Sequence, residues 1–320
     1  MRRWPKNPIL TRNSIPSLSP HLVDVSSVFN PGAVLFNGQV LLMLRVQNRG
    51  RETFFLTARS TNGHDFTVSP RMVHFRGLEQ VKETIFHCYD ARITRLGDDY
   101  FILFAMDMED GCRLGLAKTV DFESFDFLGI CSENDNRNGV LFPEQIGGRF
   151  LRLDRPNRVQ LAGGPVSGSA ICLSESDDLL HWKPVAPLLD GRFHYWDELI
   201  GAGPPPIKTR EGWLCIYHGV ATHFASSNIY QAGVFLLDLH DPSKLLARSR
   251  YNILEPREPY ELTGQVPNVV FPSGAIVKHA DTEGFADPSS EVLVYYGAAD
   301  TAVGLAVTTI EELLSDARMA

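Results

Sequence analysis

One unit of short strands recurs five times along the 320-residue chain, and this repetition constrains the fold more than any other feature. Each copy has an apolar strand, a small residue, a Ser, Thr or Lys pair and usually an acidic turn, as in "LGLAKTVDFESF". By subtraction, the small residues that mark the copies are 59, 57, 73 and 59 positions apart; they are Ala58, Ala117, Ser174, Ala247 and Ala306. Units of this length with three or four strands are typical of propeller blades.

A second piece precedes each copy and contains a short strand, a turn with glycine and a strongly apolar strand with a polar end. The repeated order of the two pieces predicts an all-β, five-bladed β-propeller over residues 1–320, folded as a single catalytic domain. The last segment, "TIEELLSDARMA", has early glutamates and a late arginine, which predicts a short C-terminal helix. A two-sheet β-sandwich is the alternative fold.

Composition restricts the class of partner. The net charge of −8 gives no basic surface for nucleic acid, and no apolar run approaches the ~20 residues of a membrane span. Five cysteines without CxxC spacing favour buried thiols, and the start of the chain lacks an apolar signal region, so we expect a cytoplasmic protein. No motif for a metal, a nucleotide or another cofactor is present. The oligomeric state stays open, a homo-oligomer included.

Polar residues mark both ends of the predicted inner strands. In a propeller these ends face the central axis, so we expect them to share one cavity. The first strands begin at Asn30, Asp90, Asn138, Pro204–Pro206 and Ser273, and the second strands end at Arg45, Asp107, Asp154-Arg155, His218 and Tyr296 through Asp300. Three prolines cannot donate to a central ladder, so we expect them where an inner strand starts.

The chemistry of this set is that of a sugar site beside an anion site. Aromatic rings pack on the apolar faces of sugars, and carboxylates accept hydrogen bonds from hydroxyl groups. The predicted sugar-binding residues are Asn30, Arg45, Asp154, Tyr217, Tyr230 and Asp300. The cationic side chains Arg137, Arg155 and His218 fit an anion, or hold the carboxylates in place.

Several long motifs resemble glycoside hydrolase family 130. They run in order from about Asn30 to Asp300 and include "NRNGVLFPEQIGGRFLRLDRP", "IGAGPPPIKTREGWLCIYHGV", "GQVPNVVFPSGAIV" and "VYYGAAD". The resemblance implies a five-bladed propeller acting on β-mannosides with inversion. It implies that Asp90 is the acid and works through the mannose 3-hydroxyl. In phosphorylases of the family, phosphate attacks the sugar, and the basic residues that match are Arg137, Arg155 and His218.

Two positions depart from the phosphorylase pattern. Leu199 stands where phosphorylases of the family carry a lysine, and Gln231 stands where they often carry an arginine. Each charge-assisted contact to an anion contributes roughly 1.5–3 kcal/mol, so these losses weaken phosphate binding. Asp197 and Glu198 add negative charge beside the same position, and an inverting hydrolase needs a base for water. We therefore expect a hydrolase of β-mannosides, most simply β-1,2-linked, with Glu198 as base ahead of Asp197.

Two alternatives stay open. Arg137, Arg155 and His218 favour an inverting β-mannoside phosphorylase, which releases mannose 1-phosphate and uses inorganic phosphate as co-substrate without a cofactor. A non-catalytic propeller that binds mannose-containing oligosaccharides is the second alternative. Loss of turnover with unchanged sugar affinity on substitution of Asp90 would separate an enzyme from a lectin.

Overall fold

The computed structural model describes residues 1–133, 135–160, 166–222 and 227–319, and these form a five-bladed β-propeller, as predicted. Blades 1 to 5 are numbered in chain order, and their strands run antiparallel from the inner strand outward, apart from one parallel outer pairing in blade 2. Blade 1 contains Val25–Phe36, Gln39–Asn48, Thr53–Ser60 and Thr67–Met72. Blade 2 contains Ile85–Leu96, Asp99–Met108, Gly111–Thr119, Phe125–Ile130 and, outermost, Phe75–Arg76.

The other three blades follow the same plan. Blade 3 contains Asn136–Leu141, Phe150–Pro156, Ala170–Ser176 and Lys183–Asp190, beside a small hairpin of Val159–Gln160 and Val166–Ser167. Blade 4 has a divided inner strand, and it contains Leu199–Ala202, Ile207–Thr209, Gly212–Ala221, Ile229–Leu237 and Leu245–Arg248. Blade 5 contains Val270–Val277, Glu291–Ala298, Ala302–Thr309 and, outermost, Arg2–Arg3.

The N-terminal strand closes the ring by completing blade 5. Arg2 pairs with Val307 and Arg3 with Ala306, so the start of the chain becomes the outer strand of the last blade. This closure was not predicted, because a two-residue strand leaves no periodic signal in the sequence.

The second strand of each blade is covered on both faces by its neighbours, which explains its continuous apolar sequence. In blade 1 the run Leu41–Leu44 is fully buried, with alternate residues in two different core clusters. A strand covered on both faces needs no polar alternation. The strongly apolar pieces of the repeat are therefore inter-blade core.

Three inner strands carry the same irregularity at the same place. The pairing register shifts after Phe29, Tyr89 and Arg137, where each inner strand has one residue more than the strand beside it. The first residues of these bulges are Asn30, Asp90 and Asn138, and they have left-handed φ angles of 46°, 56° and 52°. Asn and Asp tolerate this region better than other non-glycine residues. Bulges of this kind redirect side chains, and strained backbone of this kind clusters at functional sites.

One repeat assignment was wrong. Ala58, Ala117, Ser174 and Ala306 lie in third strands, but Ala247 lies in Leu245–Arg248, the fourth strand of blade 4. The third strand there is Ile229–Leu237, followed by its own acidic turn. The 73-residue interval before Ala247 was the signal of this misplacement.

The prolines of blade 4 interrupt the inner strand rather than begin it. They separate Leu199–Ala202 from Ile207–Thr209, both of which pair with Gly212–Ala221. The carbonyl of Gly203 is used by blade 2 instead of a ladder partner: it accepts a hydrogen bond of 2.8 Å from Arg92 Nε. The proline run thus joins blade 4 to the strand that carries Asp90.

Two α-helices lie outside the blades in the described part of the chain. Pro259–Leu262 is a single turn before blade 5, and Ile310–Arg318 is the predicted C-terminal helix. Its N-cap Thr309 accepts a hydrogen bond from the backbone of Glu312, and its apolar face packs on blades 4 and 5. Short 3-10 turns occupy Arg12–Ser14 and Leu78–Gln80. Neither described helix is long and apolar enough to cross a membrane.

Candidate active site

A cavity of about 270 Å³ lies where the inner strands converge. All five blades or their connecting loops reach it or pack directly behind it. Its lining comprises Asn30, Arg45, Tyr89, Asp90, Ala105, Asp107, Arg137, Asn138, Arg155, Tyr230, Val266, Val269, Phe271 and Asp300. Seven of the predicted catalytic, sugar-binding and anion-binding residues are in this set, and so are the strand-end residues Asp107 and Asn138.

Asp90 is held on one side of the cavity by two donors. Its Oδ1 accepts hydrogen bonds of 2.9 Å from both Asn30 Nδ2 and Arg45 Nη1. Its side chain is 11% exposed, and no described residue donates to its Oδ2. Burial acts to raise the pKa of Asp90, but Arg45, Arg92 and these hydrogen bonds outweigh it and leave the pKa below its ordinary value.

Arg92 supports Asp90 from behind the cavity wall. It is fully buried, and its Nη1 donates to the carbonyl of Asp90 at 3.1 Å while its Nε donates to Gly203. This contact fixes the left-handed backbone of Asp90. Burial lowers the pKa of Arg92 to about 10, against the opposing charge of Asp90.

Asp300 is the second carboxylate on this side. It follows Ala299, and both residues have left-handed φ angles, of 47° and 48°. Burial acts to raise the pKa of Asp300, Arg45 acts to lower it, and the charge of Asp90 acts to raise it, so that the pKa is raised to about 6. The two carboxylates therefore lie close to one arginine, and the raised pKa of Asp300 means that it titrates near pH 6.

The other side of the cavity carries more positive charge than carboxylates to match it. Arg155 is buried and forms no ion pair in the described part of the chain; its nearest side-chain acceptor is Asn157, at 3.5 Å. Burial, then the nearby Arg137, lowers the pKa of Arg155. An isolated buried guanidinium costs several kcal/mol, so this arrangement favours the binding of an anion.

His218 and Asn138 belong to the same cationic side. The His218 ring is fully buried behind the cavity wall, packed on Phe271 at 4.5 Å between ring centroids. Neither of its ring nitrogens has a hydrogen-bond partner among the described residues, nor has Asn138 Oδ1. Burial, Arg155 and Arg92 hold the pKa of His218 well below its ordinary value. We refer to Arg137, Asn138, Arg155 and His218 as the anion cluster.

Tyr89 separates the two sides. Arg45 lies 4.6 Å from its ring centroid and Arg137 lies 5.9 Å from it. The Tyr89 hydroxyl donates a hydrogen bond of 2.6 Å to Asp107 Oδ1, and Arg137 Nη2 is 3.4 Å from the same oxygen. Asp107 is thus a third carboxylate of the cavity and the one in contact with the anion cluster.

Besides His218, which lies behind the cavity wall, three other predicted site residues do not line the cavity. Asp154 is buried in blade 3 and binds Arg152 and Ser174. The Tyr217 hydroxyl donates to Asp197, away from the cavity lining. Glu198 accepts a hydrogen bond from the Thr222 hydroxyl.

For Asp154 and Tyr217 the reason is the same, whereas Glu198 lies in the loop that precedes the strand Leu199–Ala202. Alternate residues of a strand face opposite sides, and a position near a strand end does not say which side it faces.

Asp197, the second predicted base, is fully buried in an ionic network. Arg192 donates to both of its carboxylate oxygens at 2.8 Å, and Arg248 and Tyr217 also donate to it. These contacts occupy the carboxylate, which connects the loop before blade 4 to the outer strand of that blade. Asp197 therefore stabilises the fold and is not available as a base.

The residues that sequence reasoning missed are mainly apolar. Val266, Val269 and Phe271 form the wall that comes from the approach to blade 5. An apolar side chain carries no chemical signal that distinguishes a cavity wall from a core, so the sequence did not mark them. Among the described residues, no group of three or more His, Cys, Asp and Glu side chains is arranged to hold a metal ion.

Known proteins share both the sequence and the architecture. The family model of glycoside hydrolase family 130, described as beta-1,4-mannooligosaccharide phosphorylase, matches residues 1–318. The chain belongs to glycoside hydrolase family 130. The resemblance seen in the motifs is thereby confirmed, and the protein is an enzyme.

Relatives of this family 130 enzyme cover nearly the whole chain. A beta-1,4-mannooligosaccharide phosphorylase from Ruminococcus albus is 30% identical, over 98% of this chain and 89% of its own. A 1,2-beta-oligomannan phosphorylase from a Thermoanaerobacter species is 31% identical, over 90% and 92%. The solved beta-1,2-mannobiose phosphorylase from Listeria innocua, in complex with beta-1,2-mannobiose, superposes with a TM-score of 0.84 at 29% identity, over 99% and 98% of the two chains.

Proposed function

We propose that this family 130 enzyme is an inverting β-mannoside phosphorylase that takes inorganic phosphate as co-substrate and releases α-mannose 1-phosphate. The observation that carries the proposal is the anion cluster, in which Arg155 has no carboxylate partner and His218 has no hydrogen-bond partner among the described residues. A phosphate ion supplies both the charge and the acceptors that these groups lack. Phosphorolysis was the alternative in the sequence analysis, and the named relatives favour it over hydrolysis.

In the proposed reaction the terminal mannose lies between Asp90 and the anion cluster. Phosphate attacks the anomeric carbon from the cluster side, and the bond to the leaving sugar breaks. Asp90 gives a proton to the mannose 3-hydroxyl, which passes its own proton to the leaving oxygen. Bound phosphate adds negative charge to the cavity, and this acts to raise the pKa of Asp90 towards the protonated form that an acid requires.

The remaining polar groups of the cavity bind and orient the sugar in this proposal. Asn30 and Arg45 hold Asp90 in place, Asp300 accepts sugar hydroxyl hydrogens, and Tyr230 offers a ring face. Among the relatives whose names specify a linkage, both β-1,2 and β-1,4 occur. We propose β-1,2-linked mannosides as substrate, following the Listeria structure.

The test is digestion of β-1,2-mannobiose and a β-1,4-mannoside with and without phosphate. We expect phosphate-dependent mannose 1-phosphate, mainly from the β-1,2-linked sugar. Asp90→Asn should reduce the rate by about 10²–10⁴-fold and leave mannose binding intact, since Asn also tolerates the left-handed backbone. Full activity of Asp90→Asn, or products that never include mannose 1-phosphate, would contradict the proposal.

A further inference from the structure

Asp107 is the carboxylate of the cavity that the proposed phosphorolysis does not use. The described cavity lining has three carboxylates, Asp90, Asp107 and Asp300. Asp90 and Asp300 both lie close to Arg45, on the acid side. Asp107 instead accepts a hydrogen bond from the Tyr89 hydroxyl and contacts Arg137 of the anion cluster. It therefore stands where the nucleophile enters.

The geometry of Asp107 leaves one oxygen available. The Tyr89 hydroxyl and Arg137 both contact Oδ1, and no described residue donates to Oδ2. The Asp107 side chain is 36% exposed against 11% for Asp90, so water reaches it. A carboxylate that is held through one oxygen, while the other oxygen has no protein donor, can act as a general base for water.

We propose that Asp107 activates water for a second reaction, the hydrolysis of the same β-mannoside when the anion cluster holds no phosphate. Water attacks the anomeric carbon and gives its proton to Asp107 Oδ2. The glycosidic bond breaks, and the leaving oxygen takes its proton through the sugar hydroxyl from the fraction of Asp90 that is protonated; because this fraction is smaller without bound phosphate, the hydrolysis is slower than phosphorolysis. The products are two free sugars. The inference rests on the proposed function for the position of the sugar and of Asp90.

The structure also explains why phosphate suppresses this reaction. Phosphate bound at Arg137 occupies the space from which water attacks. Inverting hydrolases hold their acid and base about 6.5–9.5 Å apart to admit water, and Asp107 and Asp90 make their contacts with different residues. Glu198, the base expected from the sequence, binds Thr222 and does not line the cavity, so it takes no part in this step.

The experiment measures both products from one sample. β-1,2-Mannobiose is digested over a range of phosphate concentrations, and mannose 1-phosphate is quantified against free mannose. Without phosphate, the wild type should release free mannose by hydrolysis, in excess of the amount of mannose 1-phosphate. This excess should fall as the phosphate concentration rises. Asp107→Asn should reduce hydrolysis by about 10²–10⁴-fold, while the KM for phosphate stays equal or falls because a negative neighbour is gone. The product ratio does not depend on how much of the variant folds.

Two matched variants complete the test. Asp110→Asn changes an exposed carboxylate three residues away that pairs with Arg113, and it should leave the product ratio unchanged. Glu198→Gln should leave it unchanged as well. An unaltered ratio in Asp107→Asn, or no hydrolysis by the wild type in phosphate-free solution, overturns the inference. If mannose 1-phosphate never forms but hydrolysis depends on Asp107, the inference stands and the phosphorylase proposal fails.

Discussion

At the residue scale, three aspartates differ because their neighbours differ. Asp90 receives Asn30 and Arg45, and its pKa is lowered. Asp300 has burial without a direct donor among the described residues, and its pKa is raised to about 6. Asp107 accepts a hydrogen bond from the Tyr89 hydroxyl and lies beside Arg137. In the proposed mechanism one residue type thus provides an acid, a titrating sugar ligand and a candidate base within a single cavity, which is how an enzyme divides roles among like groups.

The raised pKa of Asp300 predicts a pH dependence of sugar binding. A carboxylate with a pKa of about 6 is mostly neutral at pH 5 and mostly ionised at pH 7. The ionised form is the stronger acceptor for hydroxyl groups, so the Kd for free mannose should fall by about 10-fold between these pH values. Calorimetry on the wild type, with mannose as a ligand that is not turned over, measures this change.

The control for this prediction is Asp300→Asn, which should bind mannose with nearly the same affinity at both pH values. Asp287→Asn, at an exposed turn, should keep the slope of the wild type. A wild-type affinity that does not change with pH would rule out the role given to Asp300.

At the element scale, the site is made by irregularities in otherwise regular strands. The bulges at Asn30, Asp90 and Asn138 place polar side chains at the axis, and the proline run of blade 4 leaves Gly203 free for Arg92. Gly201 provides room on the next strand. A Cβ atom built there would lie 2.4 Å from His218 Cε1 and 2.9 Å from Asn138 Oδ1, so both side chains depend on the missing methyl group.

Gly201→Ala should therefore damage the anion cluster selectively. The added methyl group displaces His218 and Asn138, and we expect the KM for phosphate to rise by about 10-fold or more, as loss of one charge-assisted contact predicts. The Kd for mannose should change little, because Asn30, Arg45 and Asp300 lie on other blades. Initial rates over a phosphate series, beside mannose calorimetry, provide both values.

Gly50→Ala is the matched control, since its Cβ would meet only the side chains of Asn48 and Glu52 at 3.2 Å or more. Equal losses of phosphate and mannose binding in Gly201→Ala would show that the strand itself has moved, against the selective effect expected.

This scale also explains how far the sequence could predict the site. The repeat predicted five blades, and polar residues at inner-strand starts predicted Asn30 and Asp90, because polar side chains in a buried strand need a reason to be there. The sequence could not show in which direction a side chain at or beside a strand end points. Asp154, Tyr217 and Glu198 were therefore assigned to the cavity that they do not line. Val266 and Phe271 carried no signal, since an apolar residue looks the same in a core and in a cavity wall.

At the scale of the whole molecule, ring closure assembles the site. Asn30 on blade 1 and Gly297 on blade 5 meet so closely that a Cβ atom on Gly297 would lie 1.8 Å from Asn30 Oδ1. The two blades are joined through the N-terminal strand and a buried carboxylate, Glu261. Arg3 donates to both Glu261 oxygens at 2.8 Å, and the Tyr296 hydroxyl of blade 5 donates to one of them at 2.8 Å.

The cytoplasmic location, the oligomeric state and the single-domain organisation stay predictions.

Glu261→Gln should weaken the closure and change the pH dependence of stability. Burial acts to raise the pKa of Glu261, but Arg3 and the backbone donors of Arg257 and Glu258 outweigh it, so the pKa is lowered. A lowered carboxyl pKa stabilises the fold above the unfolded value of about 4.3, and this contribution is lost as the pH falls through the folded value. At pH 7 the variant should lose about 3 kcal/mol of unfolding free energy, because Arg3 loses its charged partner.

Urea unfolding at pH 7 and at pH 3.5 tests this, with the exposed Glu83→Gln as control. The wild type should lose more stability on acidification than Glu261→Gln does, since the variant has already lost the ionic contact. The variant should also bind mannose more weakly at pH 7, because Asn30 and Asp300 come together only when blades 1 and 5 are joined. A variant as stable as the wild type at pH 7, or one with the same acid dependence, would show that the ring is closed by its blade contacts without this carboxylate.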